Sequence, residues 1–189
     1  CAGVRGSKMF SRVKMLASGL LAAMAVTALS AASVAAAPRD KAFFDGVQGQ
    51  WVGPGEIVAG KYKGTKFTCT LAGSSLDNGS GMSLDGSCRV GIFKQPMKAV
   101  IKSAGRTYKG KFLDGAEGKG LDIISGNVTG QKIVVGITRA KLNGAMIARI
   151  QGKNTMTVTI SVKVENTMVP VIGMNLNRQT DEIAVGSAD

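Results

Sequence analysis

From residue 49 onward, apolar and polar residues alternate with a period of two in short stretches separated by Gly, Asn and Asp. That is the pattern of half-buried strands joined by tight turns. The clearest stretch is "TMTVTISVKVENTMVPVIGMNLNR", residues 155–178. A three-residue loop at Glu165-Asn166-Thr167 would set Ile160 against Ile172, Val158 against Met174 and Met156 against Leu176, with Thr155, Thr157, Thr159, Ser161 and Lys163 facing solvent. In "FTCTLAGSSLDNGSGMSLDGSCRV", residues 67–90, a two-residue type I′ turn at Asn78-Gly79 places Cys69 opposite Cys88. The same register gathers Phe67, Cys69, Leu71, Met82, Leu84, Cys88 and Val90 on one face.

Two more hairpins follow from glycine-containing turns. A turn at Ala104-Gly105 pairs Ile101 with Tyr108 and Met97 with Phe112, and sets Lys98 opposite Lys111 on the other face. A turn at Asn143-Gly144 pairs Ile137 with Ile150 and brings Arg139 and Lys141 onto the apolar face near the turn. With a strand at Trp51 and the segment "GLDIISGNV", the count reaches about nine or ten strands in consecutive hairpins. Only residues 38–48 read as a helix. The expected fold is all-β: a single antiparallel up-and-down β-barrel over residues 37–189, closed because closure leaves no sheet edge.

The first 36 residues change the picture of where this barrel works. In "MFSRVKMLASGLLAAMAVTALSAASVAAA", residues 9–37, a basic start at Arg12 and Lys14 precedes an uncharged Ala/Leu/Val run that ends in small residues. That is the layout of a secretory signal peptide behind a short upstream extension, and it predicts export to the periplasm or the extracellular space. The same run is long enough to serve as an N-terminal membrane anchor. Export to an oxidising compartment would pair Cys69 with Cys88, so the hairpin carries a predicted disulfide. Removing residues 1–36, which hold four basic and no acidic groups, leaves +8 of the formal +12 net charge. A basic domain of this kind favours anionic partners.

Catalytic chemistry is sparse. The chain has no histidine, which removes Ser-His-Asp and Cys-His arrangements and most zinc sites; no metal and no cofactor is implied. Asp114, Glu117 and Asp122 form an acidic, glycine-rich stretch that a glycan-cleaving carboxylate pair or a Ca²⁺ site could use, though its spacing suits a solvated turn better. The inward positions are rich in methionine (Met82, Met97, Met146, Met156, Met174). Thioethers suit an adaptable apolar cavity and equally an ordinary core. Arg139 and Lys141 would orient an acidic headgroup at the mouth, unless a bulge turns both to solvent. Lys98, Lys102, Arg106, Lys109 and Lys111 form a basic outer face, read either as edge protection and solubility or as a patch for an anionic envelope polymer or lipid. With few aromatics beside that face, nucleic acid is not the expected partner.

"GQWVGPG", residues 49–55, has the pattern G-x-W-x-G-x-G. It resembles the opening motif of calycin-type barrels, the lipocalins and the nitrobindin-like haem barrels. The resemblance implies that Trp51 packs at the closed end of the barrel beneath an Arg of the last strand, a role that falls to Arg178. It also implies a small-ligand cavity as the usual function. Read without the resemblance, Trp51 is a core aromatic and Arg178 a strand end. The His ligand of the haem-binding members has no counterpart here. Two main functional expectations result: an exported barrel that binds a small amphiphilic or apolar ligand, or a solid, non-enzymatic barrel whose outer face meets an anionic polymer, a membrane surface or a protein. An enzyme built on the acidic stretch is a distant third.

Overall fold

The computed structural model describes residues 40–113 and 120–179. The expected export segment, Asp114 and Glu117 lie outside the described residues. A short helix, α1 (Lys41–Gly46), precedes ten strands: β1 (Gly49–Ile57), β2 (Lys66–Leu76), β3 (Gly81–Val90), β4 (Phe93–Ala104), β5 (Thr107–Leu113), β6 (Leu121–Thr129), β7 (Lys132–Arg139), β8 (Leu142–Gln151), β9 (Thr155–Val164) and β10 (Thr167–Gln179). Each strand pairs antiparallel with its neighbours in sequence, and β10 returns to β1, so the sheet closes into an up-and-down barrel. Alternation fills the interior: Met156, Val158 and Ile160 of β9, and Ile133, Val135 and Ile137 of β7, are all buried.

The registers show what the turns contribute. Cys69 faces Cys88, and the whole β2–β3 ladder keeps the expected pairing. Its turn is wider than two residues, with Asp77, Asn78 and Gly79 all at positive φ and Leu76 O accepting from both Gly79 N and Ser80 N. In β9–β10 the inner pairs Ile160–Ile172, Val158–Met174 and Met156–Leu176 are as expected. The turn, however, is Glu165-Asn166, and a bulge between Pro170 and Ile172 absorbs the extra residue. A bulge there is natural, because Pro170 has no N–H to donate to the ladder.

Two expected turns are corrected. The β4–β5 turn is Gly105-Arg106, so Ile101 faces Gly110 and Met97 lies beyond the last β4–β5 pair; Lys98 faces Leu113, not Lys111. The β7–β8 turn is Ala140-Lys141, so Ile137 faces Gly144 rather than Ile150, and Asn143-Gly144 belongs to β8. Gly144 is needed for proximity rather than turning: a Cβ there would stand 2.3 Å from Ser161 O. Both corrections displace the pairing by an even number of residues. The faces therefore survive, since side chains alternate with a period of two.

Candidate functional site

One end of the barrel is capped. Trp51 is fully buried and donates its indole N–H to Val47 O at 2.7 Å. The guanidinium of Arg178, its register partner on β10, lies 4.3 Å from the indole ring centroid. Arg178 also donates from Nη2 to Gly46 O at 2.7 Å, from Nε to Lys153 O at 2.8 Å, and from Nη1 to Gln48 O. It thus ties the entry to β1, the β8–β9 connection and the Trp together. The two residues that the motif resemblance assigns to one end do meet there.

The geometry also explains the motif's glycines. Gly49 has φ 114°, and a Cβ on it would lie 2.7 Å from Arg178 Nη1. At Gly53 a Cβ would be 2.0 Å from Asn175 O, and at Gly55 it would be 2.3 Å from the Phe67 ring, which lies over that glycine. α1 completes the cap by seating Phe43 and Phe44 in the core, with Phe44 5.2 Å edge-on from Tyr108. Tyr108 in turn donates its hydroxyl to the buried carboxylate of Asp40. This cluster is missing from the sequence reading, although Phe43, Phe44 and Val47 at helical spacing signal it. Asp45 anchors the helix from outside. Its hydrogen bond with Lys41 is the largest influence holding its carboxyl below the usual range, helped by Ser75.

Among the described residues nothing closes the other end. A cavity of about 340 Å³ enters the barrel there, walled by Phe67, Met97, Phe112, Ile160, Val162 and Met174. Val90 and Leu142 stand at its edge, and Gln95 and Arg139 supply its polar groups. The Cys69–Cys88 disulfide is formed. Cys88 lines the cavity, while buried Cys69 touches Met174 Sδ at 3.8 Å. A smaller void of about 40 Å³ continues inward among Leu71, Met82, Met97, Met146 and Met174. Hence four of the five expected inward methionines line this interior space, and Met156 packs in the core below. Larger hollows lie elsewhere: one of about 520 Å³ lined mostly by polar residues such as Thr68, Thr70 and Ser87, one of about 560 Å³ with a mixed lining that includes Thr157, Thr159, Pro54 and Val58, and one of about 370 Å³ at the capped end beside Lys153 and Arg178.

The remaining candidates are dispersed. Half-buried Arg139 reaches the cavity, but Lys141 sits exposed in the β7–β8 turn. On the outer face Lys98 pairs with Asp85 of β3 at 3.0 Å, and Lys111 pairs with Asp122 of β6 at 3.7 Å. Asp122 is thereby an ion-pair partner on a strand. Lys102 faces Lys109 across β4–β5, and Arg106 occupies the turn. Among the described residues no three Cys, Asp or Glu side chains come together as metal ligands would.

No family model matches the sequence, and no curated protein matches it. Among solved structures, the chain is similar to Rv2717c from M. tuberculosis, with a TM-score of 0.50 at 13% identity over 71% of this chain and 94% of that one. It is also similar to a protein of unknown function from the DUF3598 family of Nostoc punctiforme, with a TM-score of 0.46 at 11% identity over 79% of this chain and 53% of that one. At such identities the likeness to Rv2717c concerns the fold alone, a β-barrel.

Proposed function

We propose that this chain is an exported, calycin-like barrel that acts without catalysis, holding a small, largely apolar amphiphile in the cavity at its open end. The observation that carries the reading is the cavity itself. About 340 Å³ of space bounded almost wholly by apolar side chains, with Arg139 and Gln95 as its polar groups, has the size and chemistry of a small-molecule site. The aliphatic part of a ligand would lie among Met97, Phe112 and Met174, and an acidic or hydroxylated head would meet Arg139. Export is supported by the leader-like segment before residue 37 and by a disulfide that an oxidising compartment would maintain. A partner bound on the Lys98–Lys111 face has less support, because Asp85 and Asp122 offset two of its cations.

Native mass spectrometry of protein purified from its own envelope without detergent tests the proposal. A retained small molecule is expected in the parent, and none in Val162→Trp, whose indole would occupy the cavity. A parent that is empty and also fails to bind a fluorescent fatty acid would overturn the reading.

A further inference from the structure

Single apolar side chains on a surface need no explanation, whereas clusters do. Among the described residues eleven large apolar side chains are exposed, and nine of them lie at the open end of the barrel. The most prominent are Ile92 at 89%, Phe93 at 75% and Tyr62 at 63% exposure, with Val90, Leu142 and Val164 among the others. The remaining two, Ile124 and Ile147, lie within β6 and β8, so no described connection at the capped end carries one. The position is unusual as well as the number. Gly91-Ile92 is the tip of the β3–β4 connection, where turn chemistry calls for polar residues.

Cations stand between these side chains. Lys61 and Lys63 flank Tyr62, with Lys61 Nζ 5.4 Å from the ring centroid. Arg89 and Lys94 bracket the Val90–Phe93 tip, while Lys141 and Lys163 adjoin Leu142 and Val164. The acidic residues described at this end are Glu56, Glu165 and Asp122, the last of which is paired with Lys111. Apolar tips interleaved with lysines match the boundary between lipid headgroups and acyl chains, where the tips go deeper and the long cationic stems reach back to phosphate. A second copy of the chain fits poorly, since a two-fold contact through this end would set two basic rims face to face.

We infer that the open rim docks onto an anionic bilayer, with Ile92 and Phe93 entering the headgroup layer and Lys61, Lys63 and Lys94 on lipid phosphates. The inference stands whether or not the cavity holds a ligand. Val90 and Leu142 belong both to the rim and to the cavity edge, so a docked barrel would present its cavity to the bilayer.

The test uses the full chain carrying Phe93→Trp and vesicles of phosphatidylcholine and phosphatidylglycerol in equal parts, with or without brominated acyl chains. Because Trp51 is buried at the capped end, it is an internal reference within the same molecule. Docking predicts a blue shift and bromolipid quenching of the new indole, with emission of the parent unchanged. Binding should fall about fivefold for each of Lys61→Gln, Lys63→Gln and Lys94→Gln, and weaken steeply by about 0.5 M salt. Ile92→Ser with Phe93→Ser should lower it about tenfold or more. An unquenched indole at position 93 on a chain that still sediments with vesicles would place the contact elsewhere and overturn the inference. So would equal binding to pure phosphatidylcholine, or a concentration-dependent dimer that the Ile92→Ser, Phe93→Ser variant abolishes.

Discussion

Replacing Arg178 by Ala should open the capped end at its most connected point. Two of the three carbonyl bonds that Arg178 makes, to Lys153 and Gln48, are exposed, and each contributes about 0.5 kcal/mol at the low end of the hydrogen-bond range. The part-buried bond to Gly46 O is charge-assisted and contributes about 1.5 kcal/mol. Stacking over Trp51 at 4.3 Å adds about 1 kcal/mol. The expected loss is therefore about 3.5 kcal/mol, and with a urea slope of about 2 kcal/mol/M the midpoint falls by roughly 1.7 M. Arg178→Lys keeps the charge and can satisfy one carbonyl but not three, so about half the loss should return. Trp51 is the only tryptophan of the chain. Its emission reports on the cap alone, and should move to longer wavelength in Arg178→Ala as one face of the ring loses its cover. A loss below about 0.5 kcal/mol with unchanged emission would refute the view that Arg178 closes this end.

Three further outcomes are expected. Thiol labelling of unreduced, denatured protein should find neither Cys69 nor Cys88 free, and replacing both by Ala should cost about 3 kcal/mol, the chain-entropy value for a bridge with a separation of 19 residues. Gly53→Ala should destabilise by about 2 kcal/mol or more in thermal melts, because its Cβ would stand 2.0 Å from the Asn175 carbonyl oxygen, while Gly173→Ala, with nothing within 4 Å of its Cβ, should be near neutral. The carboxyl of Asp45 is lowered chiefly by its hydrogen bond with Lys41. Its stabilising contribution is thus present above the ordinary carboxylate range and lost as pH falls through the lowered value, so Asp45→Asn should flatten the acid side of the stability–pH curve.

The fold was legible because a two-residue period tolerates even errors. Ala104-Gly105 and Asn143-Gly144 both look like turns, yet the chain turns at Gly105-Arg106 and Ala140-Lys141. Ala140 adopts φ 52°, which local sequence gives no reason to expect. Glycine marks either a turn or a close strand approach, and only the neighbouring strand shows which use applies; Gly144 beside Ser161 O is the second kind. The β2–β3 register was readable because Cys69 and Cys88 constrain it independently of the turn. At the candidate site the inward methionines were readable from alternation. The ring of rim side chains was not, because Tyr62, Ile92 and Leu142 are far apart in sequence and share only the end of the barrel to which up-and-down topology carries them. The ion pairs of Lys98 and Lys111 were hidden for a similar reason: Asp85 and Asp122 come from the strands flanking the β4–β5 hairpin.

The capped end bears on why the open end is hollow. Ten strands enclose more width than the eight that side chains alone can fill, so some interior volume must be occupied by something other than strand side chains. At one end α1 meets that need with Phe43 and Phe44 beside Trp51 and Tyr108. No described element does so at the other end, where about 340 Å³ remains. An enclosed apolar void is unfavourable by about 24 cal/mol per Å³, which for this volume sets an upper bound of roughly 8 kcal/mol, reduced because the mouth admits water. Even a fraction of that is large beside a total stability of about 5–15 kcal/mol. Under the proposed function, an amphiphile seated between Met97 and Met174 recovers part of it, and by mass action the loaded protein melts higher with rising ligand concentration. Delipidated protein should therefore unfold at a lower temperature than protein carrying a ligand. Adding a fatty acid should restore the difference in the parent and leave Val162→Trp, whose cavity is already filled, unmoved.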